Sequence, residues 1–215
     1  MVDRDRHCFE LRRDRFEPRA PIGESVDQLK YGWEVVSQNL VGWIIFSLVF
    51  GVVISFTAGL GMVLTPNALR CTRKAMASGS APELGDLFQF DNIADDAIVM
   101  VLVMVANSIG AAACGLGMFV TLPLFFFAQF LVSDGSFDAM GAMKASMEHG
   151  KANLVGHLIQ LLIMSVVISL LGSLTLGFGY LIGAPVLMVA FEKYYQDNRG
   201  DVLAAAQAAQ IPMKG

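Results

Sequence analysis

Few side chains in this sequence could do chemistry, and most of them stand inside or beside long tracts without charge. Asn67, Arg70 and Lys74 fall on one helix face, at spacings of three and four. Asp96 and Asn107 lie on a similar face of a second segment, Gln129 lies inside a third, and Asn153, His157 and Gln160 align in a fourth. An ionisable group in such surroundings needs a partner or a purpose. Two readings stay open. In the first, Asn67, Arg70, Lys74, Asn107, Gln129, His157 and Gln160 wall a polar cavity or substrate path. In the second they make interhelical hydrogen bonds worth about 0.6 kcal/mol each.

Arg70 poses the sharpest question. It stands nine residues beyond Gly61, about 14 Å of helix against a hydrocarbon core about 30 Å thick. The tip of the first hairpin is expected to stay submerged, with Arg70 reaching toward the cytoplasmic interface and taking a carboxylate partner. Asp95, Asp96 and Glu192 are the candidates.

Catalytic chemistry finds little else to use. His7, His149 and His157 are dispersed, and Cys8, Cys71 and Cys114 show no clustered spacing, so neither a metal site nor a disulfide framework is indicated. No Ser-His-Asp set, HExxH or P-loop is present. Asp95 and Asp96 adjoin, but at a helix N-terminus they complement the helix dipole. The sequence therefore assigns no catalytic, cofactor-binding or metal-ligating residue, and no cofactor.

The elements that must position these groups are written in the charge pattern. The 215 residues are 55% hydrophobic and 16% charged, where a soluble domain has about a quarter charged. No Asp, Glu, Lys or Arg occurs in 35–69, 97–133 or 152–191. A membrane-crossing helix needs roughly 20 apolar residues, so each tract holds two. Each tract also carries Gly-x-Gly followed by Pro: "GLGMVLTP" from Gly59, "GLGMFVTLP" from Gly115 and "GFGYLIGAP" from Gly177. Gly permits the left-handed backbone of a tight turn. The Pro one or two turns later removes a donor and bends the second helix.

The expected fold is an all-α membrane protein of six transmembrane helices, arranged as three repeated hairpins. The predicted helices cover about 40–58, 62–77, 96–114, 117–133, 153–175 and 179–195. The expected organisation is a flexible charged tail over 1–23, a membrane domain over 24–195 with hairpins at about 40–77, 96–133 and 153–195, and a polar tail over 196–215. Stepping back by four from Gly59 and Gly177 gives Ser55, Gly51 and Ser47, and Ser173, Ser169 and Ser165. With those glycines the eight residues form a small-xxx-small stripe, expected to seat one helix closely on another. Helically spaced lead-ins precede the tracts: Val26, Leu29, Trp33, Val36 and Leu40; Leu84, Leu87 and Phe88; Phe137, Met140, Met143 and Met147. They read either as amphipathic helices on the membrane surface or as extensions packed on their neighbours.

All 15 Lys and Arg residues lie outside the hairpin tips. With six passes they share one side, and the positive-inside rule places that side, with both termini, in the cytoplasm. The N-terminal segment has no apolar core of a signal peptide. Net charge −4, with no basic stripe, argues against nucleic acid. The partners expected are the lipid bilayer and either other membrane proteins or further copies of the chain.

Lys30-x-Gly32-Trp33, "ALRCTRKAMASGSAPELGDLFQF" at 68–90 and "DAMGAMKASMEHGKANL" at 138–154 resemble the YciC-like bacterial integral membrane proteins of unknown function. These are related to membrane domains attached to some glycerophosphodiester phosphodiesterases. The resemblance covers about residues 28–195 and implies six helices in the bacterial inner membrane, without phosphodiesterase activity. The expected function is that of a non-enzymatic scaffold or assembly or envelope-maintenance component. The rival is a small permease or carrier for a lipid or other amphiphile. A dry, packed interior favours the scaffold; a cavity lined by Asn67, Arg70, Asn107 and Gln129 favours the carrier.

Overall fold

The computed structural model of the chain describes residues 21–57, 60–89, 92–112 and 115–214. Their regular elements are all helical: α1 Pro21–Gln38, α2 Leu40–Phe56, a 3-10 turn Leu60–Leu64, α3 Thr65–Ser78, the short α4 Leu84–Leu87, α5 Ile93–Ala112, α6 Met118–Phe125, α7 Ala128–Ser133, α8 Ala139–Ala152, α9 Leu154–Leu174 and α10 Gly179–Ala208. The expected N-terminal tail lies, but for its last residues, outside the described residues, as does Gly59.

Among the described residues two helices, α5 and α9, are long and apolar enough to cross a membrane. Their 20 and 21 residues span about 30 Å at 1.5 Å per residue. A third candidate arises if α1 and α2 count together, but they meet at 103°. The apolar stretch Met118–Ser133 is shorter and broken at 126–127, three residues after Pro123. Pro185 sits inside α10 without interrupting it, and Pro66 lies in the first turn of α3, where a missing N–H is free of cost. A helix break near the proline is thus seen only in the second copy, and it falls after Pro123 rather than at the bond the proline removes.

The tips show why the Gly-x-Gly pair is written. Gly115 and Gly177 have φ of +75° and +95°, the left-handed turn that glycine accepts without strain. The second glycine serves close approach instead. A Cβ on Gly117 would lie 2.4 Å from the Gly110 carbonyl oxygen, and one on Gly179 would lie 2.6 Å from the Leu171 carbonyl oxygen. Thr57 and Thr175 act alike: each hydroxyl accepts from the glycine N–H four residues on, Gly61 at 2.7 Å and Gly179 at 2.6 Å.

The small stripe does not make the contact expected of it. A Cβ on Gly51 meets nothing within 4 Å. Ser55, Ser165, Ser169, Ser173 and Gly177 are exposed. Ser55 and Ser165 spend their hydroxyls on carbonyls four residues back in their own helices. The close approaches are elsewhere, at Gly32 on Val186, Gly110 on Gly117, Gly150 on Leu124 and Gly172 on Tyr180.

The lead-in helices pack on the assembly. In α1, Ser25, Gln28, Gly32 and Val36 face inward, while Val26 and Trp33 are exposed. Gly32 lets the α1 backbone rest on α10. In α8 the buried face is Ala142, Ala145, Ser146 and His149, with Met140 outside. Small residues are needed there because α8 crosses the α6–α7 break. The Ser146 hydroxyl donates to the Leu124 carbonyl at 2.8 Å. The expected polar tail from 196 on is helical to Ala208. Val202 and Ala206 enter the core with Phe127, Leu131, Phe137 and Tyr195, and the Lys214 N–H reaches the Ser136 carbonyl at 2.9 Å.

Candidate functional site: an apolar cavity behind a layer of ion pairs

The charged groups of α3, α5, α10 and the loop after α7 meet in one layer. Arg70 forks onto Asp96, with both N–O distances 2.7 Å. Its Nε donates to the Ser133 carbonyl at 3.1 Å. Of the three carboxylates expected near Arg70, Asp96 is the partner. Glu192, fully buried, takes Arg73 instead at 2.6 and 3.2 Å. Arg73 also donates to the Ser133 hydroxyl at 3.1 Å. Asp95 pairs with Lys214. Such planar two-point pairing suits guanidinium groups taken out of water.

Asn67 finishes the layer. Its buried amide donates to the Leu87 and Gln89 carbonyls and accepts from Arg70. Lys74 pairs with Asp86 at 2.6 Å near the surface. Asn67, Arg70 and Lys74 thus share a small polar pocket of about 180 Å³ with Asp86, Gln89 and Asn92.

Further along, Asp134 gathers Tyr195, Arg199 at 2.7 Å and the Ser136 N–H at 2.8 Å. Burial acts against its charge, but the hydrogen bonds from Ser136, Tyr195 and Arg199 more than offset it, so the carboxyl lies below the ordinary value of 3.8. The unfolded chain therefore binds this proton at higher pH than the folded one. The stabilisation is complete above about pH 5 and is lost progressively as pH falls through the lower folded value. Asp134→Asn is expected to unfold at lower temperature at pH 6 and to lose part of the wild-type decline between pH 5 and pH 2.5. Melting curves in non-ionic detergent check this; parallel declines in both proteins would refute it.

Asn107 and Gln129 lie apart from that layer, in the wall of a second and larger cavity of about 590 Å³. α2, α3, α5, α6, α7, α9 and α10 all contribute to it. Phe50, Val103, Phe126 and Met188 represent its largely apolar lining. Ser47, Gly51 and Ser165 belong to the wall as well, which is why this part of the stripe has no neighbour to touch. Leu69, Phe130 and Phe191 close the end toward the charges; Arg70 and Glu192 directly follow two of them in sequence. The Asn107 Oδ1 is buried without a hydrogen-bond partner.

His157 and Gln160 join neither site. Gln160 accepts from Ser25 at 2.5 Å and bonds Gln28, both on α1. His157 bonds Tyr194 through Nδ1, and its ring lies 5.0 Å from that of His149. The sequence showed these histidines as dispersed because eight positions and the Asn153 break separate them. Burial holds His149 below the ordinary histidine value, against the field of Asp201. Among the described residues no three His, Cys, Asp or Glu side chains gather as a metal site.

The sequence reading grouped seven polar residues; the structure distributes them over three places. Arg73, Asp134, Tyr195 and Arg199 were not singled out. Arg73 carried a signal, since it is charged and three residues from Arg70. Comparison with protein-family models, curated proteins and solved structures yields no match.

Proposed function

We propose that the chain is a non-enzymatic, multi-pass membrane protein that takes an amphiphile into the cavity between its helices. The observation that carries this reading is the cavity itself. Its volume falls within the roughly 300–1,000 Å³ of small-molecule sites, and it opens among helices whose outer faces are apolar. Ile109 is 68% exposed, and the tip residues Phe56 and Leu176 are 88% and 92% exposed. Surfaces of that kind ask for lipid rather than water. The carrier is preferred over the scaffold because Asn107 and Gln129, two of the four residues expected to line a carrier's cavity, do share this wall, although Asn67 and Arg70 do not.

The proposed topology keeps six passes in three hairpins, in the bacterial inner membrane, with both termini in the cytoplasm. It is supported by the gathering of Arg70, Arg73, Lys193, Arg199 and Lys214 toward one end and by uncharged tips. The YciC-like resemblance accords with this topology.

The test is lipid analysis of the protein purified in mild detergent. About one amphiphile per chain is expected, and Ala184→Phe, which places a ring in the cavity wall, is expected to remove it. Equal lipid content in the two proteins would overturn the proposal and return the reading to the scaffold.

A further inference from the structure

The two ends of the cavity differ, and the difference sets how an amphiphile enters it. Resting on the proposed amphiphile site, we infer that the ligand is a membrane lipid of the tip-side leaflet, held by one acyl chain that enters tail first while its head stays outside at the mouth. The first ground is the closed floor. Leu69 and Phe130, each 4% exposed, form it with Phe191. Behind them Arg70 and Asp96 tie α3 to α5, and Arg73 and Glu192 tie α3 to α10. A chain passing this end would have to part both pairs, and a buried carboxylate without its cation is strongly unfavourable. Around the cavity the elements form a ring of contacts: α2 on the 3-10 turn, the turn on α5, α5 on α6, α6 on α9, α9 on α10 and α10 on α2.

The second ground is the open mouth. Gly51, Leu122, Ser165 and Ala184 are the exposed members of the wall. Gly51, Leu122 and Ala184 lie within about two turns of the tip ends of α2, α6 and α10, at Phe56, Met118 and Gly179. Gly51, Ser165 and Ala184 are small, which leaves the entrance wide. The apolar surface of the tips runs up to it, with Phe119 and Phe178 exposed. Below the mouth the lining is largely apolar. That suits a chain and offers a head little to replace its water. With the head outside, the site selects by chain and accepts heads of different charge.

The experiment uses the full chain in phosphatidylcholine nanodiscs doped with photoreactive phosphatidylcholine, its diazirine either at the end of an acyl chain or beside the ester. Adducts are mapped by mass spectrometry of peptides. The chain-end probe is expected to mark Leu69 or Phe130, which are too buried for lipid outside the ring to touch. The ester-side probe is expected to mark Leu122 or Ala184 and to leave the floor unmarked. Phosphatidylglycerol with the same probes is expected to give the same adducts, and Ala184→Phe to lose those at the floor. Floor adducts from the ester-side probe would overturn tail-first entry from the tips. Floor adducts with only one of the two heads would overturn a head left outside. Undiminished floor adducts in Ala184→Phe would overturn this mouth. Co-purifying lipid without any floor adduct would overturn the inference and leave the amphiphile site standing, whereas the absence of both would overturn the site itself.

Discussion

Replacing Arg70 by Leu is expected to harm the fold more than replacing Asp96 by Asn, although the two residues share one interaction. The difference lies in what each substitution leaves behind. The Asp96 side chain is 1% exposed and that of Arg70 is 27% exposed. Without Arg70, a carboxylate stays in the core with no cation; removing one partner of a buried pair costs about 3–5 kcal/mol. Without the Asp96 charge, Arg70 keeps the Ser133 carbonyl and Asn67, and its guanidinium reaches the surface. Asp96→Asn is therefore expected to cost about 1–3 kcal/mol, the range of a lost charged hydrogen bond. The double variant Arg70→Leu/Asp96→Leu should recover much of the Arg70→Leu loss, because no charge is stranded. Arg70→Lys should rescue in part, as a cation without the fork. Thermal unfolding in detergent, set out as a double-mutant cycle, checks all four. Strict additivity, or a larger loss in Asp96→Asn than in Arg70→Leu, would show that the pair is not the unit described.

What could be read from the sequence was what local chemistry compels. A cation so close to an apolar tip must find a carboxylate, so an Arg70 pair was legible, and Asp96 stood among its candidates. The left-handed glycines were legible because Gly-x-Gly between apolar runs has few other uses. Features set by the crossing of distant elements were not. Met140, Met143 and Met147 have the spacing of an apolar face, yet α8 buries Ala142, Ala145 and His149. It lies across the backbone at Leu124, where only small side chains fit. Residues 196–208 look polar and bland; Val202 and Ala206, four apart, were enough to seat them. His149 and His157 approach because the chain breaks at Asn153; the helix start there was legible, but the angle at which the two helices meet was not. Gln129 and Asn107 were picked out together and do share a wall. Nothing in either segment told whether Arg70 would share it too.

Substituting small residues separates two kinds that the sequence wrote alike. Gly117→Ala adds one carbon, which would sit 2.4 Å from the Gly110 carbonyl oxygen and 2.7 Å from the Gly110 Cα. Those are backbone atoms of a neighbouring helix, so the hairpin itself must open. Overpacking of this sort costs about 1–3 kcal/mol. Gly51→Leu adds four carbons, the first of which meets nothing within 4 Å. It also replaces a helical glycine, unfavourable by about 1 kcal/mol against a good helix former. Gly51→Leu is thus expected to melt at or above the wild-type temperature, and Gly117→Ala well below it, in the same detergent. The pattern Ser47-Gly51-Ser55 would ordinarily forecast the opposite, because small residues four apart mark close helix contacts. They equally mark a wall kept clear, and the two cases differ only in what stands opposite. In the full bilayer Gly51→Leu should also retain less amphiphile, since its side chain enters the space that the ligand fills. A Gly51→Leu protein as damaged as Gly117→Ala would mean that the stripe is a contact made with another copy of the chain, and the cavity would lose its claim to be kept open for a ligand.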